Sequence, residues 1–403
     1  MRSLTSDRFR SEIGDPRLVT RQRVAIVTSA LLALAAALPG AAQSAGPTLL
    51  LGGDVIFEAP IEWALDQMHR SRDAAASYAS LFDDLDLDDA DLTIVNLETP
   101  IAERVRSRED GYDVPIFAAP SAFLDALARA GVDAVTLANN HAYDQGVAGL
   151  AATANSAEAI GVGVLGVGAS RERAFDARVL EVRGHRIAIV AASEGVNLPA
   201  RGDEASSPRV AILDAPLLQA AITRARATSE LTIVVLHWTD ATARHALPTD
   251  DMRTWCERAA DAGADLIVAH GPHVPGPRET IVARDGRLVT VLYSLGNLIA
   301  AMEAGPDEVD LDRASVRDAV LARVMTRMDA RGRLAIASVR ARGYFIAASS
   351  RPVDGERSRF VRPLSIDREI ARALESRCDR DCRARRDALA LRGARITRLF
   401  DAP

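Results

Sequence analysis

The chain contains no lysine; all 49 of its basic side chains are arginine. That absence excludes the phosphate-contacting lysine of a P-loop and any lysine Schiff base. Aromatic residues make up only 4% of the 403 residues, so the core must be built from Ala, Val, Leu and Ile. A hydrophobic share of 48% is enough for one large domain or two smaller ones. The formal charge of −6 lacks the basic excess of a nucleic-acid footprint, so no nucleic-acid partner is expected. Cysteine is limited to three residues. Cys378 and Cys382 stand four apart in SRCDRDCRARR, on one face of a helix, where a local disulfide is open to them in an oxidising compartment. Cys256, in RTWCERAADAG, reads as a core residue of an amphipathic helix.

What is present begins with the N-terminus. A polar, Arg-containing leader precedes VAIVTSALLALAAALPGAAQSAG (24–46), charge-free and followed by small residues. This is the form of a secretory signal or a signal anchor, retained or cleaved. Its apolar part is short for a spanning helix, which needs about 20 residues. The expected organisation is a leader over 1–46, a main domain over 47–347 and an Arg-rich helical extension over 348–403. Residues from 47 onward are expected in the periplasm or at the cell surface, with a membrane contact through 24–46 if the leader is uncleaved.

From residue 47, short β-branched runs alternate with Ala-rich amphipathic stretches. TLLLGGD, DLTIVNLE, VDAVTLANN, GVGVLGVG, RIAIVAAS, LTIVVLHW and ADLIVAHG read as buried strands of βα units, predicting an α/β fold. RETIVARDGRLVTVLYSLGN and residues 319–347 read as hairpins. Residues 303–315 read as an acidic loop. LFDDLDLDDADL (81–92) lacks the central Gly and terminal Glu of a calcium loop, and is expected to be a solvated helix end before a strand.

Polar residues gather at the C-terminal ends of the apolar runs. Asp54 follows LLLGG, Asn96 and Glu98 follow LTIV, Asn140 and His141 follow DAVTLA, His237 follows LTIVVL, and His270 and His273 follow ADLIVA. Strand carboxyl ends line the ligand crevice of open α/β sheets. Four of the seven histidines fall at such ends. In AHGPH, a tight turn aims two imidazoles at one centre. Carboxylate, amide and imidazole donors together suit a divalent Mn, Fe or Zn ion.

The ordered string GDV, NLE, LANNHxxDxG, LHW, GADLIVxHGPHV and YSLGN resembles the CapA group, bacterial poly-γ-glutamate capsule synthesis proteins, from about residue 50 to residue 299. The resemblance implies a calcineurin-like metallophosphatase fold, a four-layer α/β/β/α sandwich with its site at the sheet edges. It implies that Asp54, Asn96, Asn140, His237, His270 and His273 hold metal. It makes His141 the general acid or phosphate-contacting group, with Asp144 orienting it. Glu98 completes the catalytic set, and Ser294 and Asn297 shape the pocket. The sequence departs from that pattern in four places, the first being the NLE of Asn96 and Glu98 where metallophosphatases carry a bridging Asp. Ile56 stands where phosphatases carry a second His, LHWTD offers Asp240 in place of the usual acidic residue, and Gly271 and Pro272 separate the last His pair.

Three functions follow as expectations. One is an exported metal-dependent hydrolase acting on a phosphoester or amide bond of an anionic polymer or its precursor. The second is a non-catalytic anchored component of polymer synthesis or export, bound to membrane synthase subunits. The third is metal-independent acid–base chemistry, such as peptide epimerisation by Glu98, His141 and His273.

Overall fold

The computed structural model describes residues 45–57, 78–102, 115–200, 208–239, 247–301, 316–349, 360–375 and 380–401. The chain divides into Met1–Ser44 and Ala45–Pro403, and every described residue belongs to the second unit. The apolar leader, the acidic loop at 303–315, Asp240 and Cys378 lie outside the described residues.

In chain order the elements are β1 Ala45–Val55, β2 Leu92–Leu97, α1 Ser121–Arg129, β3 Ala134–Thr136, α2 Gly146–Ala159, β4 Gly163–Leu165 and β5 Val167–Gly168. There follow β6 Arg178–Val182, β7 His185–Ser193, β8 Arg209–Val210, α3 Ala215–Thr228, β9 Leu231–His237, α4 Asp250–Ala262 and β10 Leu266–His270. The chain continues through β11 Arg278–Val282, β12 Leu288–Leu292, β13 Asn297–Ile299, β14 Asp318–Met328, β15 Leu334–Ser349, β16 Phe360–Ser365, α5 Ile366–Glu375 and α6 Arg380–Asp401. One sheet runs β16-β15-β14-β1-β2-β3-β4, with β13 also on β1; the other runs β11-β12-β10-β9-β7-β6. With helices outside them, the two sheets form the expected four-layer α/β/β/α sandwich.

Period-2 alternation explains how the second sheet serves two layers. In β7, Ile187, Ile189 and Ala191 join the main core cluster, while Ala188, Val190 and Ala192 join a second cluster with α3 and α4. A strand buried on both faces reads as an unbroken apolar run, which is why RIAIVAAS shows no polar alternation. The covering helices supply small side chains, Ala221 and Ala225 from α3 and Ala259 and Ala260 from α4, so an aromatic-poor composition still closes the layer. Thr249 caps α4 by accepting from the Met252 N–H, and Asp214 caps α3 by accepting from the Leu217 N–H.

The same parity places the site. Leu231, Ile233 and Val235 face the main core, so His237 faces that way too. Leu266 and Val268 do the same for His270. β9 and β10 are parallel and in register at His237 and His270, so the two imidazoles leave one sheet edge side by side. On the first sheet, Asp54 is in register with Asn96 on one side and Asn297 on the other. The β1 register shifts between Leu51 and Asp54, an irregularity that re-aims the end of the strand.

Three expectations change. GVGVLGVG is two short strands, not one: Gly166, at φ +78°, breaks it, sending β4 to the first sheet and β5 to a separate pairing with β8. The acidic stretch at 81–92 is not merely solvated. Asp84 is buried within ion-pair distance of Arg362 and Arg372, Asp86 pairs with Arg342 and Arg368, and Asp89 pairs with Arg323. Those arginines lie hundreds of residues away in sequence, so no local window shows the pairing. Finally, the boundary expected at 347 falls inside β15, and the residues beyond it are integral. Ile366, Leu389, Ile396 and Phe400 enter the main core.

The C-terminal helix is fastened by charge. Asp318, at the start of β14, has no solvent exposure and accepts from both Arg392 and Arg395 of α6. The Arg392 guanidinium also lies over the Phe345 ring, 4.8 Å from its centroid. Removing one member of a buried ion pair leaves the other charge without compensation. Asp318→Ala is therefore expected to lower unfolding free energy by about 3–5 kcal/mol, read from urea denaturation. Arg385→Ala, on the exposed side of the same helix, is expected to change it by less than about 1 kcal/mol.

Candidate functional site

The strand ends bring two wholly buried carboxylates together. Asp54 and Glu98 both have no solvent exposure, and Asn96, between them in the fold, donates from its Nδ2 to Asp54 Oδ1 (2.8 Å) and to Glu98 Oε2 (3.2 Å). Its own Oδ1 accepts from Asn139 Nδ2 at 3.1 Å, and Asn139 Nδ2 also donates to the Leu97 carbonyl at 2.9 Å. An amide has one donor end and one acceptor end, so these partners fix its orientation. Asn96 thus presents nitrogen to the carboxylates, where ligation had been expected of its oxygen. Asn139, the first Asn of the ANNH segment, stitches the end of β3 to the end of β2.

Histidines surround the carboxylates from the other sheet. His237 Nε2 lies 3.4 Å from Glu98 Oε2, and His270 Nδ1 lies 3.2 Å from Asp54 Oδ1, neither aligned as a hydrogen bond. His273 Nδ1 lies 3.2 Å from Asp54 Oδ2 and donates to Asn297 Oδ1 at 2.9 Å. Asn297 is itself anchored, its Nδ2 donating to the Val316 carbonyl at 2.9 Å. The AHGPH turn needs an unusual backbone. Gly271 has φ +104°, and a Cβ there would meet the Trp238 carbonyl oxygen at 2.0 Å. His273 is itself left-handed at φ +59°, a sparsely populated conformation of the kind found at functional sites.

Donor atoms of Asp54, Glu98 and His237 all lie within 4.8 Å of one another, buried, in an arrangement able to hold a metal ion. Among the described residues, buried Glu98 Oε1, Asn140 Oδ1 and both ring nitrogens of His237 have no hydrogen-bond partner. Unpaired buried acceptors are costly unless something satisfies them, and a divalent cation in this cluster would take up the Glu98 oxygen and one His237 nitrogen. Glu98, expected in a catalytic role, thus stands among the donor atoms of this cluster.

The turn after β3 carries a buried His–Asp pair. His141 Nδ1 is 2.7 Å from Asp144 Oδ2, which also accepts from the Phe117 N–H at 2.7 Å. Phe117 packs on the imidazole with ring centroids 4.3 Å apart. The β3 strand ends just before this segment and α2 starts at Gly146, so the turn between them carries Asn139, Asn140, His141 and Asp144. Asn197, in the loop after β7, touches both Asn140 and His141. No motif in the sequence singled out Asn197 or Phe117. Ser294 caps the nearby turn, accepting from the Gly296 N–H at 3.2 Å. Ile56 is fully buried with Phe117 and Ala300 in a small apolar cluster, so that position, two residues after Asp54, offers no ligand.

The family model described as bacterial capsule synthesis protein PGA_cap matches residues 48–302, a span that takes in every one of these site residues. The chain belongs to that family. Two of its curated relatives are modestly similar. PGA biosynthesis protein CapA of Bacillus subtilis (strain 168) is 29% identical over 40% of this chain and 41% of its own. Capsule biosynthesis protein CapA of Bacillus anthracis is 25% identical over 53% of this chain and 51% of its own. The chain therefore spans about half the length of the curated relatives it matches. Among solved structures, a putative 5'-nucleotidase from Staphylococcus aureus aligns at TM-score 0.42 and 12% identity, over 76% of this chain and 56% of its own. The NAD nucleotidase NadN of Haemophilus influenzae aligns at 0.41 and 12%, over 75% and 59%.

Electrostatics within the capsule-family site set its behaviour without metal. Burial would raise the Asp54 carboxyl, but the contacts and charges of His270 and His273 outweigh it and hold the group well below the usual range. Burial would likewise lower His273, but Glu98 and Asp54 outweigh it and push the imidazole up to about 9. A histidine raised in the folded state adds stability that is complete below its ordinary 6.5 and lost as pH rises through about 9. The midpoint of thermal unfolding of chelator-treated protein is thus expected to fall between pH 6.5 and 9. The fall should be markedly smaller in His273→Gln, measured by circular dichroism across that range.

Proposed function

We propose that this chain is an exported cell-envelope protein of capsule-type, poly-γ-glutamate-like polymer biosynthesis. In this reading it works from the periplasm or cell surface, and its site cleaves a phosphoester or amide bond of an anionic polymer or its precursor. The observation that carries the hydrolytic reading is the buried cluster of Asp54, Glu98 and His237, in which Glu98 Oε1 and the His237 ring nitrogens have no hydrogen-bond partner. Asp54, Glu98, His237 and Asn140 would hold a divalent Mn, Fe or Zn ion, with His270 and His273 completing the imidazole side. Such an ion, when bound, lowers the pKa of a water and neutralises an anionic oxygen.

The chain's own residues supply the rest. Asp144 holds the proton of His141 Nδ1, leaving Nε2 as the nitrogen that exchanges a proton with the reacting group. Phe117, packed on the imidazole, keeps it from turning and keeps water off that face. Asn297 holds His273 in place.

A second reading is favoured by one observation. Ile56, with Phe117 and Ala300, puts hydrocarbon where a two-ion phosphatase carries a histidine. A component without turnover, binding the anionic polymer and membrane synthase subunits and anchored through residues 24–46, would not need that ligand. Metal content by mass spectrometry, with phosphodiester turnover on the same samples, separates the two. The hydrolytic reading predicts stoichiometric metal, lost in an Asn140→Ala, His237→Ala double variant. It also predicts turnover lowered about 10²–10⁴-fold in His141→Ala with metal retained. Well-folded protein with no metal and no turnover favours the binding component.

A further inference from the structure

We propose that Asn197 is a positioning residue that couples the orientation of Asn140 to the state of His141. The inference rests on the reading of Asn140 as a metal ligand given above. Asn197 lies in the loop that follows β7 and makes three contacts to one short segment. Its backbone N–H donates to the Asn140 carbonyl at 2.7 Å. Its Oδ1 accepts from Asn140 Nδ2 at 3.3 Å, and its Nδ2 faces His141 Nε2 at 3.3 Å.

The polarity of these contacts is one linked choice. A carboxamide has one oxygen that accepts and one nitrogen that donates. With the Asn140 nitrogen turned to Asn197, the Asn140 oxygen is left buried and without a hydrogen-bond partner, free for a cation. The Asn197 nitrogen must then face His141 Nε2 and donate to its lone pair. Asp144 accepts at the other ring nitrogen, so the imidazole is held with its proton on Nδ1. Rotating the Asn197 amide by half a turn would set its nitrogen against that of Asn140. The clash is relieved only if Asn140 also turns and gives its oxygen to Asn197 instead of the cation. A cation-ready Asn140 and a His141 whose Nε2 carries no proton are therefore the same arrangement, and Asn197 is the link between them. Groups behind metal ligands commonly set affinity in this way.

Two substitutions in the full chain separate the halves of Asn197. Asn197→Ala removes both, whereas Asn197→Asp keeps an acceptor facing Asn140 Nδ2 but has no N–H for His141. Zn²⁺ affinity by calorimetry is expected to fall about 10–100-fold in Asn197→Ala. It should stay at or above the wild-type value in Asn197→Asp. The ¹⁵N resonance of His141 Nε2 is expected to move in both variants, because both lose the donor to that nitrogen. Should Asn197→Ala fail to give the wild-type thermal transition, the Asn197→Asp resonance decides. Wild-type Zn²⁺ affinity in Asn197→Ala, or an unmoved Nε2 resonance in Asn197→Asp, overturns the coupling. Wild-type protein that binds no Zn²⁺ overturns the metal reading itself, and the coupling with it.

Discussion

Two carboxylates buried in one place are the constraint around which this molecule is arranged. Asp54 and Glu98 have no access to solvent. Carboxylates taken out of water must be paired, hydrogen-bonded or bound to a cation, or they neutralise. The Asn96 amide lies between them and donates to both. Three imidazoles approach from the opposite sheet, and two of them hold Asp54 ionised despite its burial. What pairs Glu98 is incomplete: one of its oxygens has no hydrogen-bond partner, and neither has His237. That deficit sits at the junction of the two sheets, where a cation would balance it.

The fold delivers these groups by strand parity and register more than by loop shape. His237 and His270 are the last inward positions of adjacent parallel strands, and Asp54 is in register with both Asn96 and Asn297. Rigid strands can hold a polar set to the tolerance that chemistry requires, with a strained turn at Gly271–His273 supplying the last imidazole. The C-terminal helices contribute at a distance. Their arginines pair with Asp318 of β14 and with Asp84 and Asp86 of the acidic stretch at 81–92, tying those helices to the first sheet. The family match ends at residue 302, yet the C-terminal segments complete the same core.

Much of this was legible in the sequence because it is local. Apolar runs ended by Asp, Asn or His announce strands that finish at a site, and the hairpins at Arg284–Gly286 and Asp329–Gly332 follow from turn chemistry. The grouping of Asp54, Glu98 and His237 followed from the order of strand ends and from the resemblance of their motifs. Direction of hydrogen bonding was not legible. Nothing in NLE says that Asn96 turns its nitrogen to the carboxylates, because that choice is made by Asn139 from another strand. Asn197 was invisible for the same reason, since its partners lie 56 and 57 residues away. The Arg–Asp pairing of the C-terminal helices spans still longer separations, so it looked like a solvated acidic patch and a separate basic tail.

The central claim is that Asp54, Glu98 and His237 enclose a cation. Anomalous diffraction from crystals grown with Mn²⁺, recorded to favour manganese, tests it most directly. The account predicts one strong peak within bonding distance of those three side chains and none beside Ile56. A map without a peak there, in crystals that carry manganese elsewhere, would contradict it.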